Sequence, residues 1–163
     1  MEGMSNIFSG SEIVEMAVQI EKNGRDFYNK IAVLLKGKNI KEVFKHLASQ
    51  EERHISVFED MLSVVKKYEP SEAYTGEYFS YIKALSEEHV FTKKEKGKEI
   101  AATVKDEMQA IELGIGFEKD SILFYHEMKN FVLESEHVII ENLLKEEQKH
   151  LEKLSLLKRR CHA

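Results

Sequence analysis

Two short segments, Glu51-Glu52-Arg53-His54 and Glu147-Gln148-Lys149-His150, each place a carboxylate and an imidazole three residues apart. On a helix that spacing brings both side chains to one face, a turn apart, where an oxygen and a ring nitrogen can hold one cation together. Two further carboxylates stand where core residues are expected. Glu21 interrupts the stripe Val14, Ala17, Gly24, Tyr28, Ile31, Leu35, and Glu118 interrupts Ile111, Gly114, Ser121, Tyr125, Met128, Val132. Four carboxylates meeting in an apolar interior repel one another and must protonate at raised pKa values unless cations balance them. Two divalent cations bring four positive charges against the four negative ones. Carboxylate oxygens with one imidazole per metal suit iron or manganese better than zinc, whose closed structural sites favour Cys and His. The candidate metal ligands are therefore Glu21, Glu51, His54, Glu118, Glu147 and His150, and catalysis would run through the metals that they hold. Six ligands shared by two metals leave positions open for dioxygen, peroxide or water.

A third Glu-x-x-His, Glu134 with His137, has no counterpart in the first half of the chain, so it reads as a first-turn charge beside a surface histidine. The other two do have counterparts. Residues 20–28 match residues 117–125 at an offset of 97, and residues 47–54 match residues 143–150 at an offset of 96. A duplicated helical hairpin explains both registers, with one residue lost from the intervening loop.

The elements that must carry these residues are long helices. Ser9 with Glu12 has capping-box spacing and opens a helix over about 10–36, which Gly37 is placed to close in the left-handed conformation. Asn39 with Glu42 repeats the start signal, and Phe44, Leu47, Ala48, Ile55, Phe58, Met61, Leu62 and Val65 form one stripe over about 40–68, ending before Pro70. Asp106 with Gln109 opens a third helix to about 131, and a fourth runs over about 135–158. Residues 70–105 read as a crossover with one short helix around Tyr74 to Leu85 and a solvated charge run from Lys93 to Glu99. The expectation is an all-α four-helix bundle: two hairpins joined by a long crossover, as one domain over 1–163.

Composition closes off other classes. One Pro, eight Gly and no Trp among 163 residues supply too few turn residues for a many-stranded sandwich or barrel. A net charge of -5, with only Lys158-Arg159-Arg160 locally basic, argues against a nucleic-acid partner. No apolar run is long enough to span a membrane, and the N-terminal residues lack a secretory pattern, which points to the cytoplasm. The single Cys161 excludes an internal disulfide and any four-thiolate metal centre within this sequence.

With Glu21 and Phe27-Tyr28, Glu51-x-x-His54, Glu118 and Phe124-Tyr125, and Glu147-x-x-His150 in view, the chain resembles a rubrerythrin-type member of the ferritin-like di-iron carboxylate proteins, from about Ser9 to Leu157. The resemblance implies a ferritin-like bundle holding two iron ions that reduces peroxide or oxidises ferrous iron with oxygen species. The alternative is a non-catalytic iron- or zinc-binding bundle that carries metal or serves as a structural module. Full-length rubrerythrins carry a rubredoxin domain with four thiolates. This chain has one Cys, so electrons must come from an external donor such as a rubredoxin-like protein. Rubrerythrins also place a further Glu one turn after the third-helix Glu, where this sequence has Ser121, matched by Gly24 in the other half. Tyr28 and Tyr125 read as core tyrosines ahead of partners for a ligand carboxylate, and Arg53 and Lys149 as flank residues in surface ion pairs. His46, His89, His126 and His162 have no partner at ligand spacing. The aromatic-rich crossover, with Tyr74, Tyr78, Phe79 and Tyr81, suggests a homodimer that buries it.

Overall fold

The computed structural model describes residues 9–67 and 76–163. Ser9 caps α1 (Gly10–Leu34): its hydroxyl accepts from the Glu12 amide at 3.1 Å while the Glu12 carboxylate accepts from the Ser9 amide at 2.8 Å, the reciprocal box expected from the sequence. The helix ends at an extended Leu35 whose N–H returns to Ile31. Gly37 is not left-handed, contrary to expectation. It is small for another reason, since a Cβ there would stand 2.7 Å from the Glu107 carboxylate and 3.0 Å from Ile40. α2 (Lys38–Lys67) begins at once, which places Asn39 inside its first turn rather than at its cap. So short a connection leaves α2 no course but back along α1.

The second hairpin is built alike. Asp106 caps α5 (Glu107–Met128) by accepting from the Gln109 amide at 2.8 Å, while the Gln109 side chain reaches the Lys105 amide. Two 3-10 turns, Lys129–Phe131 and Glu134–Glu136, lead into α6 (His137–His162), which runs a turn beyond the expected end. α1 packs most closely on α2 and α5 on α6, and the two hairpins face each other. Among the described residues there is no strand, and no helix is long and apolar enough to cross a membrane.

The crossover departs most from expectation. After α3 (Gly76–Glu88) comes a 3-10 turn, Val90–Thr92, and then α4 (Lys96–Ala101) forms inside the stretch read as a solvated charge run. α4 lies on α1 with Gly97 and Ala101 buried, because Asn23 binds it there. The Asn23 amide donates to the carbonyls of Phe91 (2.7 Å) and Lys93 (2.5 Å), and its oxygen accepts from the Gly97 N–H (3.0 Å). Each such bond contributes about 1 kcal/mol net, and leaving the buried groups unpaired would cost more. A Cβ at Gly97 would overlap the Asn23 carbonyl, so the close approach needs glycine there. The clamp presses Phe91 onto Phe117, with ring centroids 3.8 Å apart. Tyr78 also turns into the chain, donating to Glu127 and stacking on Phe131. Tyr81 and Val90 remain exposed, and Tyr74 lies outside the described residues.

Candidate metal centre

Each bundle helix delivers part of the site. α1 supplies Glu21, α2 Glu51 and His54, α5 Glu118, and α6 Glu147 and His150, and every one of the six is buried. They fall into two overlapping sets: Glu21, Glu51, His54 and Glu147; and Glu51, Glu118, Glu147 and His150. Within each set the ligand atoms lie within 4.8 Å of one another. Opposite ligands of a metal with bonds of ~2.2 Å stand up to ~4.4 Å apart, so each set is at cation-binding size. Glu51 and Glu147 belong to both sets. Glu21 with His54, and Glu118 with His150, belong to one each.

The donor atoms face one another without ordinary partners. Glu21 Oε2, Glu51 Oε1, Glu147 Oε1 and the Nδ1 atoms of both histidines are buried and make no hydrogen bond. His54 Nδ1 lies 2.7 Å from Glu147 Oε1 and 3.5 Å from Glu21 Oε2, and His150 Nδ1 lies 3.3 Å from Glu51 Oε1 and 3.4 Å from Glu147 Oε2. The imidazoles stack with centroids 5.6 Å apart. Buried polar atoms are almost always satisfied, so five unsatisfied ones aimed at common points fit a bound cation pair. The donor set of oxygens and one imidazole per position fits iron or manganese.

Without a cation the cluster balances itself with protons. Burial and the Glu21 and Glu147 charges keep the Glu51 carboxyl well above its usual range. Burial, with the Glu147 charge, pushes Glu118 up to about 8. Burial works against charge on His54, but Glu21 and Glu147 overcome it and raise the imidazole to about 12; Glu118 and Glu147 likewise raise His150 to about 10. Glu147 departs from the expectation that every carboxyl is raised. Burial pushes it up, yet the His150 and His54 imidazoles beside it prevail and hold it below the ordinary carboxylate range. The imidazolium groups account for the difference, since Glu147 is the carboxylate that lies within 3.4 Å of both, whereas Glu51 lies 4.0 Å from His54.

Around the six lies a layer of orienting groups. Tyr28 donates to Glu118 Oε1 at 2.5 Å, and Tyr125 donates to Glu21 Oε1, so each hairpin's tyrosine holds the other hairpin's carboxylate. Burial beside these charges keeps both phenols protonated. The reading of both as plain core tyrosines is thus corrected: the packing is there, and the hydroxyl is spent on a candidate ligand. His54 Nε2 stands 2.8 Å from Glu146 Oε2, and Arg53 bonds the same carboxylate from the flank. An Nε2 proton shared with Glu146 leaves the Nδ1 lone pair for a cation. The sequence marked Arg53 as an ion-pair residue but not Glu146. The available signal was a mismatch in the repeat, where Gln50 stands opposite Glu146.

The remaining histidines divide. His137 bonds the Lys129 carbonyl at 2.8 Å and joins neither set. His89, set aside in the sequence, is buried, with Nε2 3.2 Å from Ser121 Oγ and Nδ1 accepting from the Phe91 N–H. Nothing in its spacing could have signalled this, because it reaches the site from the crossover. A small cavity of about 10 Å³ lies there, lined by Gly24, Tyr28, Glu51, Phe91, Glu118 and Ser121 among others.

Comparison with known proteins bears on the fold and the family. No curated protein matches the chain. A crystal structure of a Thermotoga maritima protein assigned as a ferritin-like diiron-carboxylate protein superposes with a TM-score of 0.67, at 24% identity, over 93% of this chain and 95% of that one, which establishes the fold. The rubrerythrin family profile matches residues 12–158, a span that takes in all four bundle helices and all six converging side chains, and the chain belongs to the rubrerythrin family.

Proposed function

We propose that the protein is a di-iron oxidoreductase of rubrerythrin type that reduces peroxide, oxidises ferrous iron with oxygen species, or does both. The observation that carries this reading is the set of five buried, unpartnered donor atoms facing one another across the bundle. Glu51 and Glu147 would belong to both iron positions, Glu21 with His54 would complete one, and Glu118 with His150 would complete the other. When bound, the irons supply electrons and Lewis acidity.

The chain supplies the rest. Tyr28 and Tyr125 fix the two unshared carboxylates from opposite hairpins, and Glu146 holds the proton on His54 Nε2. Phe27, Phe91 and Phe117 pack against one another, tilted, edge-to-face and stacked, over one side and keep bulk water out. Reducing hydrogen peroxide to two waters takes two electrons and two protons, so each turnover needs an external donor, for which a rubredoxin-like protein or ferrous iron itself is suited. The small residues Gly24 and Ser121 leave space beside Glu51 and Glu118, which favours a site that small molecules enter over a closed structural one. The reading also includes a cytoplasmic homodimer, using exposed Tyr81 and Val90 on the crossover; sedimentation as a monomer at micromolar concentration would remove that part.

Metal analysis with peroxide turnover tests the proposal. About two irons per chain and repeated consumption of hydrogen peroxide by the reduced protein are expected. Stoichiometric zinc with neither peroxide turnover nor ferrous oxidation would overturn it in favour of a metal carrier or structural bundle.

A further inference from the structure

His89 and Ser121 form a polar pair that the six candidate ligands do not need. Both are buried, at 2% and 6% exposure, on elements far apart in sequence: His89 on the crossover, Ser121 one turn beyond Glu118 on α5. Their hydrogen bonds have a fixed direction. The Phe91 N–H points at His89 Nδ1 (3.3 Å), so that nitrogen is the acceptor and the ring proton sits on Nε2. Nε2–H therefore donates to Ser121 Oγ (3.2 Å). Burial keeps the ring neutral, with its pKa down to about 4, so this polarity holds through the physiological range.

The consequence falls on the serine. His89 is its one hydrogen-bond partner among the described residues, and with a lone pair taken by His89 the Ser121 hydroxyl has its own proton to give. Ser121 lines the cavity that touches Glu51 and Glu118, at the edge of the set containing Glu147 and His150. The cavity is about the size of one water molecule, so a ligand of two or three heavy atoms enters only as the lining side chains give way. Phe91, held over it by the Asn23 clamp, and Phe117 are apolar walls, and the Tyr28 hydroxyl already donates to Glu118, so the Ser121 hydroxyl is the donor left for a small polar ligand.

We propose that Ser121, oriented by His89, is the hydrogen-bond donor to a small oxygen-containing ligand such as hydrogen peroxide entering the cavity beside Glu51 and Glu118. The inference rests on the di-iron reading and adds to it a place of entry and a donor. His89 is a positioning residue, since it acts through the serine.

Azide, a small anion of suitable size, is the probe. Iron-loaded, oxidised protein is titrated with azide and followed by absorption, with the infrared stretch of bound azide recorded in H2O and D2O. Wild type should bind azide and show an isotope-sensitive stretch. Ser121→Ala should weaken binding by about tenfold, the effect of one hydrogen bond of ordinary strength, and lose the isotope sensitivity, with iron content unchanged and the thermal midpoint lowered by a few degrees as the buried His89 Nε2–H loses its partner. His89→Phe, which frees the hydroxyl to turn away, should weaken binding by about threefold. Ser121→Ala binding azide as tightly as wild type with the same isotope shift would overturn the proposal and leave the di-iron reading intact. A wild-type protein that takes up no iron would remove both, and one that takes it up and binds no azide would overturn the proposal alone.

Discussion

Loading the site with metal should expel protons in a number set by the six residues. Take the metal-free protein at pH 7. His54, raised to about 12, and His150, raised to about 10, each carry a full extra proton; Glu118, at about 8, is protonated roughly nine times in ten; Glu51, held well above its usual range, adds up to one more. Two divalent cations bind the deprotonated forms, so loading should release between about three and four protons per chain. With ordinary pKa values the same residues would release only about half a proton, nearly all of it from two imidazoles titrating near 6.5. Calorimetric titration with zinc or manganese, which avoids redox chemistry, in buffers of equal pH and different ionisation enthalpy gives the number as a slope. The combined affinity should then rise by about three to four orders of magnitude per pH unit near neutrality. Glu118→Gln removes one of the protons and should lower the release by about one. A wild-type value below about two would refute the claim that these groups share charge in one buried cluster.

Three further outcomes follow from the same geometry. His54→Ala takes the nitrogen from one set and should cost about one bound metal per chain by elemental analysis, whereas His137→Ala, which breaks a bond to the Lys129 carbonyl, should leave metal content unchanged; equal content in the two variants would misplace the site. Gly97→Ala forces α4 off the Asn23 carbonyl and should destabilise by about 2 kcal/mol, seen as a fall of roughly 4–8 °C in thermal midpoint. The metal-free protein should grow more stable as pH falls from about 8 toward 5. The folded state holds the Glu118 proton up to about 8, far above the ordinary carboxyl value, while the His150 and His54 contributions are fully present below about 6.5 and are lost as pH rises through about 10 and about 12 respectively. Glu147, with its lowered pKa, reverses the slope only below the ordinary carboxylate range, and the metal-loaded form should lose stability on acidification as protons displace metal. Parallel scanning-calorimetry profiles for the two forms would contradict this.

What could be read from the sequence was whatever has a period. The Glu and His positions fall on helical stripes that repeat at offsets of 96 and 97, and that repetition made four helices and their inward-facing carboxylates legible together. Caps with a side-chain partner three residues away were also legible, as at Ser9 and Asp106. Contacts between elements without a shared period were not. Asn23 reads as an ordinary polar residue on a helix, yet its side chain gathers backbone groups of Phe91, Lys93 and Gly97, some seventy residues on. The charge run from Lys93 to Glu99 hid α4 for the same reason. Its Lys and Glu side chains point to water, while the packing is done by Gly97 and Ala101, which carry little hydrophobic signal. Gly37 was misjudged because glycine marks either a left-handed turn or a crowded site, and only coordinates separate the two.

The duplication also explains why a near-symmetric ligand set need not behave symmetrically. The two tyrosines are exchanged between hairpins and treat both halves alike. Beyond them the halves diverge. Glu146 meets His54 where the repeat has Gln50, which instead accepts from Arg53, so one imidazole is backed by a carboxylate. On the other side Ser121 stands where the repeat has Gly24, and Asn23, whose counterpart is the exposed Asp120, draws the crossover over that face. A duplicated bundle offers two equivalent faces, and the single crossover can cover only one of them. The covered face receives His89 and Phe91, and with them a donor and an apolar wall; the set with Glu118 and His150 borders it, while the set with Glu21 and His54 is braced by Arg53 and Glu146. One set is thus backed by a carboxylate and the other borders a small cavity, and the difference comes from residues outside the six.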